Sequence, residues 1–237
     1  MCGITGFFNP KGLPYHFRDK GRIKSMTSSL HHRGPDEKGI LLSEIASLGH
    51  ARLSIIDLTT GTQPMCSEDK EIAIVFNGEI FNYIELREDL IQKNYNFRTN
   101  SDTEVLINLY REHGTEMLHD LNGQFAFVIV DFMNKRMFAA RDRVGILPFY
   151  YTFIGDTFLF SSTIKAITQN PEVERDFNYS AFQQLINFWT TYGDSTFVKN
   201  IFSLPPGVSY LYDTKQQNKS IYWDLKFPLD SSNKFTF

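Results

Sequence analysis

The hydrophobic pattern begins almost at the N-terminus, where residues 3–8 (Gly-Ile-Thr-Gly-Phe-Phe) form an apolar run that predicts a buried strand. Further strands are predicted at 48–56, 72–77, 124–132, 136–141, 148–153, 157–162 and 207–213. There, branched and aromatic residues are bounded by Gly, Pro, Asn or Asp. The run 124–132 (Gln-Phe-Ala-Phe-Val-Ile-Val-Asp-Phe) is nearly all apolar, which implies cover on both faces of its sheet. Helical spacing takes over after Ser101-Asp102-Thr103-Glu104, a capping-box pattern followed by Val105, Leu106, Leu109 and Tyr110. Asn82 is placed to cap a second helix carrying Leu86, Leu90 and Ile91, and further helices are predicted at 19–30 and 178–189. Antiparallel-type strands with amphipathic helices outside them make a layered α+β domain. The pattern fades after residue 213. Residues 214–237 mix Lys, Gln, Asn, Ser and Asp with few apolar anchors after Trp223, and read as a tail or the truncated start of a linker.

Composition narrows the classes. The chain has 237 residues, of which 42% are hydrophobic and 15% aromatic, enough for the core of one full-sized domain, 1–213. With 27 acids against 24 Lys and Arg, the formal charge of -3 offers no field to gather nucleic acid or an anionic membrane surface, so neither is expected as a partner. No apolar run approaches the roughly 20 residues that span a bilayer. Cys2 and Cys66 are the only cysteines, which is no disulfide framework, and a cytoplasmic location is expected. His31, His32 and His50 lack acidic or thiol partners at ligand spacing, so no metal site is expected and the three are read as structural.

Cys2 carries the chemical interest. Directly behind the initiator Met, it becomes the N-terminal residue once Met1 is trimmed. An α-amine titrates at about 7.7–8.0, close enough to neutrality to take the proton of the thiol directly or through a water. Nucleophile and base would be one residue. By position alone, Cys2 reads more readily as an ordinary small apolar residue starting a strand. Asn77-Gly78 by itself reads as a tight hairpin turn.

Six ordered blocks tip the reading of Cys2, while at Asn77-Gly78 the turn stays compatible with a functional role because a turn would present a bare N–H: Cys2-Gly3-Ile4-Thr5-Gly6, Arg33-Gly34-Pro35-Asp36, the run from Gly49 to Leu58 (GHARLSIIDL), Gln63-Pro64-Met65, Asn77-Gly78-Glu79-Ile80-Phe81-Asn82 and Ser101-Asp102-Thr103-Glu104. Together with the run from Arg141 to Tyr151 and Leu204-Pro205-Pro206-Gly207, they make the chain resemble the glutamine-hydrolysing domain of asparagine synthetases, a class II glutamine amidotransferase. The Arg-Leu-Ser-Ile-Ile-Asp form is closer to that branch than to the sugar or purine branches.

The resemblance implies an N-terminal nucleophile hydrolase fold, a four-layer sandwich with two antiparallel β-sheets between helical layers. It implies Cys2 as nucleophile and Asn77 and Gly78 as the oxyanion hole. Arg52 would hold the α-carboxylate of glutamine, Glu79 and Asp102 would face its ammonium, and Ile55 and Ile56 would line the pocket. For Asp102 the helix dipole alone is a sufficient reason for an acid, and for the isoleucines a place in a core strand is the alternative. Arg33-Gly34-Pro35-Asp36 is expected to shape a loop near the pocket.

Thr163 stands where the family carries Glu, and no Ser-Gly-Gly-Leu-Asp type phosphate loop occurs. ATP and magnesium ion are therefore expected only in a synthetase domain outside this sequence, which would receive the ammonia. The remaining alternatives are a glutaminase feeding a different acceptor and a non-catalytic glutamine-binding module.

Overall fold

Residues 1–55, 57 and 60–227 are described by the structure, a computed structural model. In chain order its strands are β1 (Gly3–Phe8), β2 (Glu37–Leu42), β3 (Ala46–Arg52), β4 (Met65–Cys66), β5 (Ile72–Ile80), β6 (Gly123–Asp131), β7 (Arg136–Arg141), β8 (Tyr150–Ile154), β9 (Thr157–Ser161), β10 (Phe202–Ser203), β11 (Val208–Tyr212) and β12 (Gln217–Ile221). The helices are α1 (Lys20–Ser29), α2 (Tyr83–Gln92), α3 (Asp102–His113), α4 (Ile164–Ile167) and α5 (Tyr179–Phe188).

The strands form two six-stranded sheets, ordered β10-β8-β9-β1-β3-β2 and β12-β11-β7-β6-β5-β4. Apolar side chains on both faces of each sheet give the layering. Ile4, Phe8 and Leu48 of the first sheet meet Val75, Ala126, Val128 and Val130 of the second in the central core. On the outer face of the second sheet, Ile74, Phe127 and Ile129 pack against Leu90 of α2 and Val105, Leu106 and Leu109 of α3. On the outer face of the first, Phe7 and Leu159 pack against Ile23 and Met26 of α1 and Ile167 of α4. Each fully buried aromatic or branched side chain removes apolar surface worth about 1.5–3 kcal/mol, and the strands read as apolar on both sides for that reason. The expected four-layer α+β sandwich is thus present. Close approach of α1 depends on Gly49, where a Cβ would come within 2.1 Å of Thr27 Oγ1.

Several elements depart from the sequence expectation. The strand predicted at 48–56 runs instead from Ala46 to Arg52, and the chain leaves the sheet at Leu53. Asn77-Gly78 is no hairpin turn: β5 continues to Ile80, with Asn77 opposite Ala126 and Gly78 opposite Phe125. Ser101 caps α3 by accepting from Thr103 N–H, but the reciprocal bond of a capping box is replaced, because the Glu104 carboxylate accepts from the N–H groups of Arg98 and Thr99. Thr163 caps α4 through Oγ1, which accepts from Ala166 N–H at 3.2 Å. Strand β12, within the stretch read as a tail, pairs with β11. Among the described residues, no helix is long and apolar enough to cross a membrane.

Candidate active site

Gly3 is the first residue of β1 to pair, opposite Ala51 of β3, so Cys2 is fixed one step outside the ladder where β3 also ends. Its thiol donates to Leu53 C=O at 3.5 Å, and the sulfur accepts from Leu53 N–H at 3.4 Å. Arg33 Nε donates to the Cys2 carbonyl at 2.9 Å, a contact the sequence did not indicate beyond a loop near the pocket. Burial pushes the Cys2 thiol up, against the opposing pull of the Leu53 N–H, the N-terminal charge and Arg52. With Met1 in place, the Cys2 nitrogen is an amide and carries no basic lone pair.

The second wall is β5. Strand β4 covers only Ile74 and Ala73, so beyond that point one edge of β5 is open. In an antiparallel ladder alternate residues turn N–H and C=O away from a given neighbour. Phe76, Gly78 and Ile80 therefore face the open edge. Phe76 N–H donates to Gln63 Oε1 at 2.7 Å, Phe76 C=O lies 3.1 Å from His50 Nε2, and Ile80 N–H donates to Asp102 Oδ2 at 3.2 Å. The register directs Gly78 N–H to the same edge, between these two anchored amides. No larger residue fits there: a Cβ on Gly78 would stand 2.2 Å from Gln124 O, at a φ of +155°. The Asn77 side chain is fully buried, and among the described residues neither atom of its carboxamide has a hydrogen-bond partner. An orphaned buried amide costs about 1–3 kcal/mol and calls for a functional explanation.

The charged residues stand around the same cleft. Arg52 ends β3 opposite Glu37, almost fully buried, with Nη1 at 3.4 Å from Glu37 Oε2 and Nη2 donating to Asp57 O at 2.5 Å. Asp102 opens α3 and is 4% exposed. Burial pushes its carboxyl up to about 6, the N–H groups of Ile80 and Thr103 pull it down, and Glu79 raises it further.

One open cleft is lined by Cys2, Arg52, Ile55, Asn77, Gly78, Glu79 and Asp102, together with Met1, Gln63 and Gln124. Seven of the eight residues singled out from the sequence therefore share one cavity. The eighth, Ile56, lies outside the described residues. Ile55 is 58% exposed and outside any strand, so its reading as a core strand residue is overturned and a place on the rim is what the chain gives it. Gln63, His50 and Arg33 touch this site without having been singled out as part of it. Among the described residues, no group of three or more His, Cys, Asp or Glu could hold a metal ion.

The chain is similar to known proteins over most of its length. A family model described as a glutamine amidotransferase domain matches residues 1–223. Asparagine synthetase (glutamine-hydrolyzing) 1 of Bacillus subtilis is 41% identical over 213 residues, covering 89% of this chain and 33% of the relative. Asparagine synthetase (glutamine-hydrolyzing) 3 of Arabidopsis thaliana is 45% identical over 173 residues, covering 73% of this chain and 29% of the relative. The chain spans about a third of the length of these curated relatives. Among solved structures, a glutamine phosphoribosylpyrophosphate amidotransferase from B. subtilis superposes with a TM-score of 0.64 at 20% identity, over 94% of this chain and 49% of that one. That likeness establishes the shared N-terminal nucleophile hydrolase fold.

Proposed function

This chain belongs to the glutamine amidotransferase domain family, and from that premise we propose that it hydrolyses glutamine to glutamate and ammonia through a thioester on Cys2. The ammonia would supply an ATP-dependent, asparagine-forming synthetase. The observation that carries the reading is the buried, unpartnered Asn77 carboxamide beside Gly78 N–H in the cleft that holds the Cys2 thiol.

Glutamine presents a carboxylate, an ammonium and an amide, and each has a complement. The Arg52 fork suits the α-carboxylate. Asp102 and Glu79 suit the ammonium, and the salt bridge restores the charge that burial takes from Asp102. With Met1 gone, the free Cys2 amine removes the thiol proton as sulfur attacks the amide carbon. The carbonyl oxygen gains charge and is held by Asn77 Nδ2 and Gly78 N–H. The amine returns its proton to the leaving nitrogen, the C–N bond breaks and ammonia departs. Water then cleaves the thioester by the same proton route and releases glutamate.

ATP and magnesium ion would be used by the synthetase that receives the ammonia, so glutamine hydrolysis by this domain needs neither. The purified chain, trimmed of Met1 as checked by intact mass, should release glutamate and ammonia from glutamine alone and should form no asparagine when aspartate, ATP and magnesium ion are added. Absence of glutamate release from the trimmed chain would overturn the reading.

A further inference from the structure

One residue on the floor of the cleft is held through its N–H and its C=O by two side chains from different parts of the fold. Phe76 immediately precedes Asn77, and its outward N–H and C=O lie beyond the end of β4, where no strand can satisfy them. Gln63 Oε1 accepts the N–H at 2.7 Å. Because that oxygen is an acceptor, the other end of the Gln63 amide is the donor, and it reaches Thr103 Oγ1 at 3.3 Å, next to Asp102. His50 Nε2 faces the C=O at 3.1 Å, and since a carbonyl only accepts, Nε2 carries the hydrogen. Gln63 and His50 are both buried, His50 completely.

The placement of His50 matters most. It lies on β3 directly opposite Ile4 of β1, two residues from Cys2, while the carbonyl it binds belongs to the other sheet, one residue from Asn77. Resting on the glutaminase reading above, we infer that His50 and Gln63 are positioning residues which clamp the Phe76 backbone, His50 fixing Asn77 and Gly78 against Cys2 and Gln63 fixing them against the helix that carries Asp102. Neither touches the reacting atoms. Burial lowers His50 to about 4, with the Phe76 carbonyl opposing and Arg52 adding to the fall, so the ring is neutral and the donor is present throughout the neutral range.

The clamp makes a distinctive kinetic claim. A donor displaced by an ångström loses its aim at the developing charge while the substrate's charged ends stay bound, and such misplacement costs up to about 10²-fold. His50→Leu should lower kcat by about 10- to 100-fold with KM for glutamine within about threefold. His50→Gln, whose amide nitrogen can take the place of Nε2, should recover most of the loss. Gln63→Leu, which removes the partner of the Phe76 N–H, gives an independent variant if His50→Leu fails to fold.

In an Asn77→Ala background the His50→Leu effect should shrink at least several-fold, because the donor it positions is gone. An equal fall in both backgrounds, or a change confined to KM, overturns the clamp. Hydrogen exchange measured by NMR gives an answer even if the wild-type chain proves inactive and the glutaminase reading falls. The amides of Phe76 and Asn77, which are hydrogen-bonded to Gln63 and within the β5–β6 ladder, should exchange at least about tenfold faster in His50→Leu than in wild type, and unchanged protection would refute the clamp on its own.

Discussion

At the thiol end of the cleft, Cys2, Asn77 and Gly78 are placed by main-chain geometry, the first at the start of β1 and the others within the β5 ladder. At the anchoring end, Arg52, Glu79 and Asp102 bring formal charge, and each charge is set against burial or against another charge, as Arg52 is against Glu37 and Asp102 against Glu79. Cys2 and Asn77 themselves carry no formal charge in this form, the one a protonated thiol and the other a carboxamide. A site divided in this way separates turnover from recognition. Changes at the first end should appear in kcat and changes at the second in KM.

The largest expected effect is at the thiol. Cys2→Ala should lower kcat on the order of 10⁶-fold, in practice to the assay floor, as loss of a covalent nucleophile does, with an unchanged circular dichroism spectrum. Measurable glutaminase turnover in that variant would remove Cys2 from its role. A protein that retains Met1, verified by mass, should be equally silent, and normal turnover by it would exclude the α-amine as base.

Next comes Asn77→Ala, for which kcat should fall about 10²–10³-fold with KM little changed, the usual scale for one oxyanion donor. Arg52→Ala should do the opposite, raising KM about 10- to 100-fold through loss of charge-assisted hydrogen bonds while kcat is nearly kept. If steady-state kinetics on these two variants gave the reverse pattern, the two ends of the cleft would have been exchanged.

The smallest effect is a pH dependence. Asp102 holds its proton up to about 6, so the anion that meets the ammonium is present above that pH and is lost as pH falls through it. KM for glutamine should therefore rise below pH 6, by up to about tenfold per unit, while kcat changes less. A KM that stays flat from pH 7 to 5 would show that Asp102 does not pair with the substrate.

How far the sequence revealed all this depended on what each segment packs against. Strands β6 and β7 fall within a residue of their predicted bounds because Ala126, Val128 and Val130 face one core while Phe127 and Ile129 face the other. The two-residue strands β4 and β10 were invisible, since so short a ladder has no period. Strand β12 was missed because all of its residues are exposed, and β2 because its burial is partial.

Helix α5 teaches the converse. Its apolar pattern is strong and the helix is where the pattern predicts, yet Ala181 is its only buried residue, and Leu185, Ile186 and Phe188 stand exposed. Pattern reports which face seeks cover and not what covers it. Most site residues were legible through motif blocks. His50 and Gln63 were not legible as neighbours of β5, because their partners are the N–H and C=O of Phe76, which only the assembled sandwich brings near.

The buried thiol also bears on durability. Oxidants and alkylating reagents react with thiolate, and susceptibility follows thiolate fraction and access. Burial keeps Cys2 above the ordinary thiol range and only partly accessible, so its sulfur is a poor target for dissolved peroxide or iodoacetamide at neutral pH. The Met1-bearing protein should therefore withstand purification in air with this thiol in the reduced state, and the thiolate would be generated only where a freed Cys2 amine takes the proton as sulfur attacks a seated substrate.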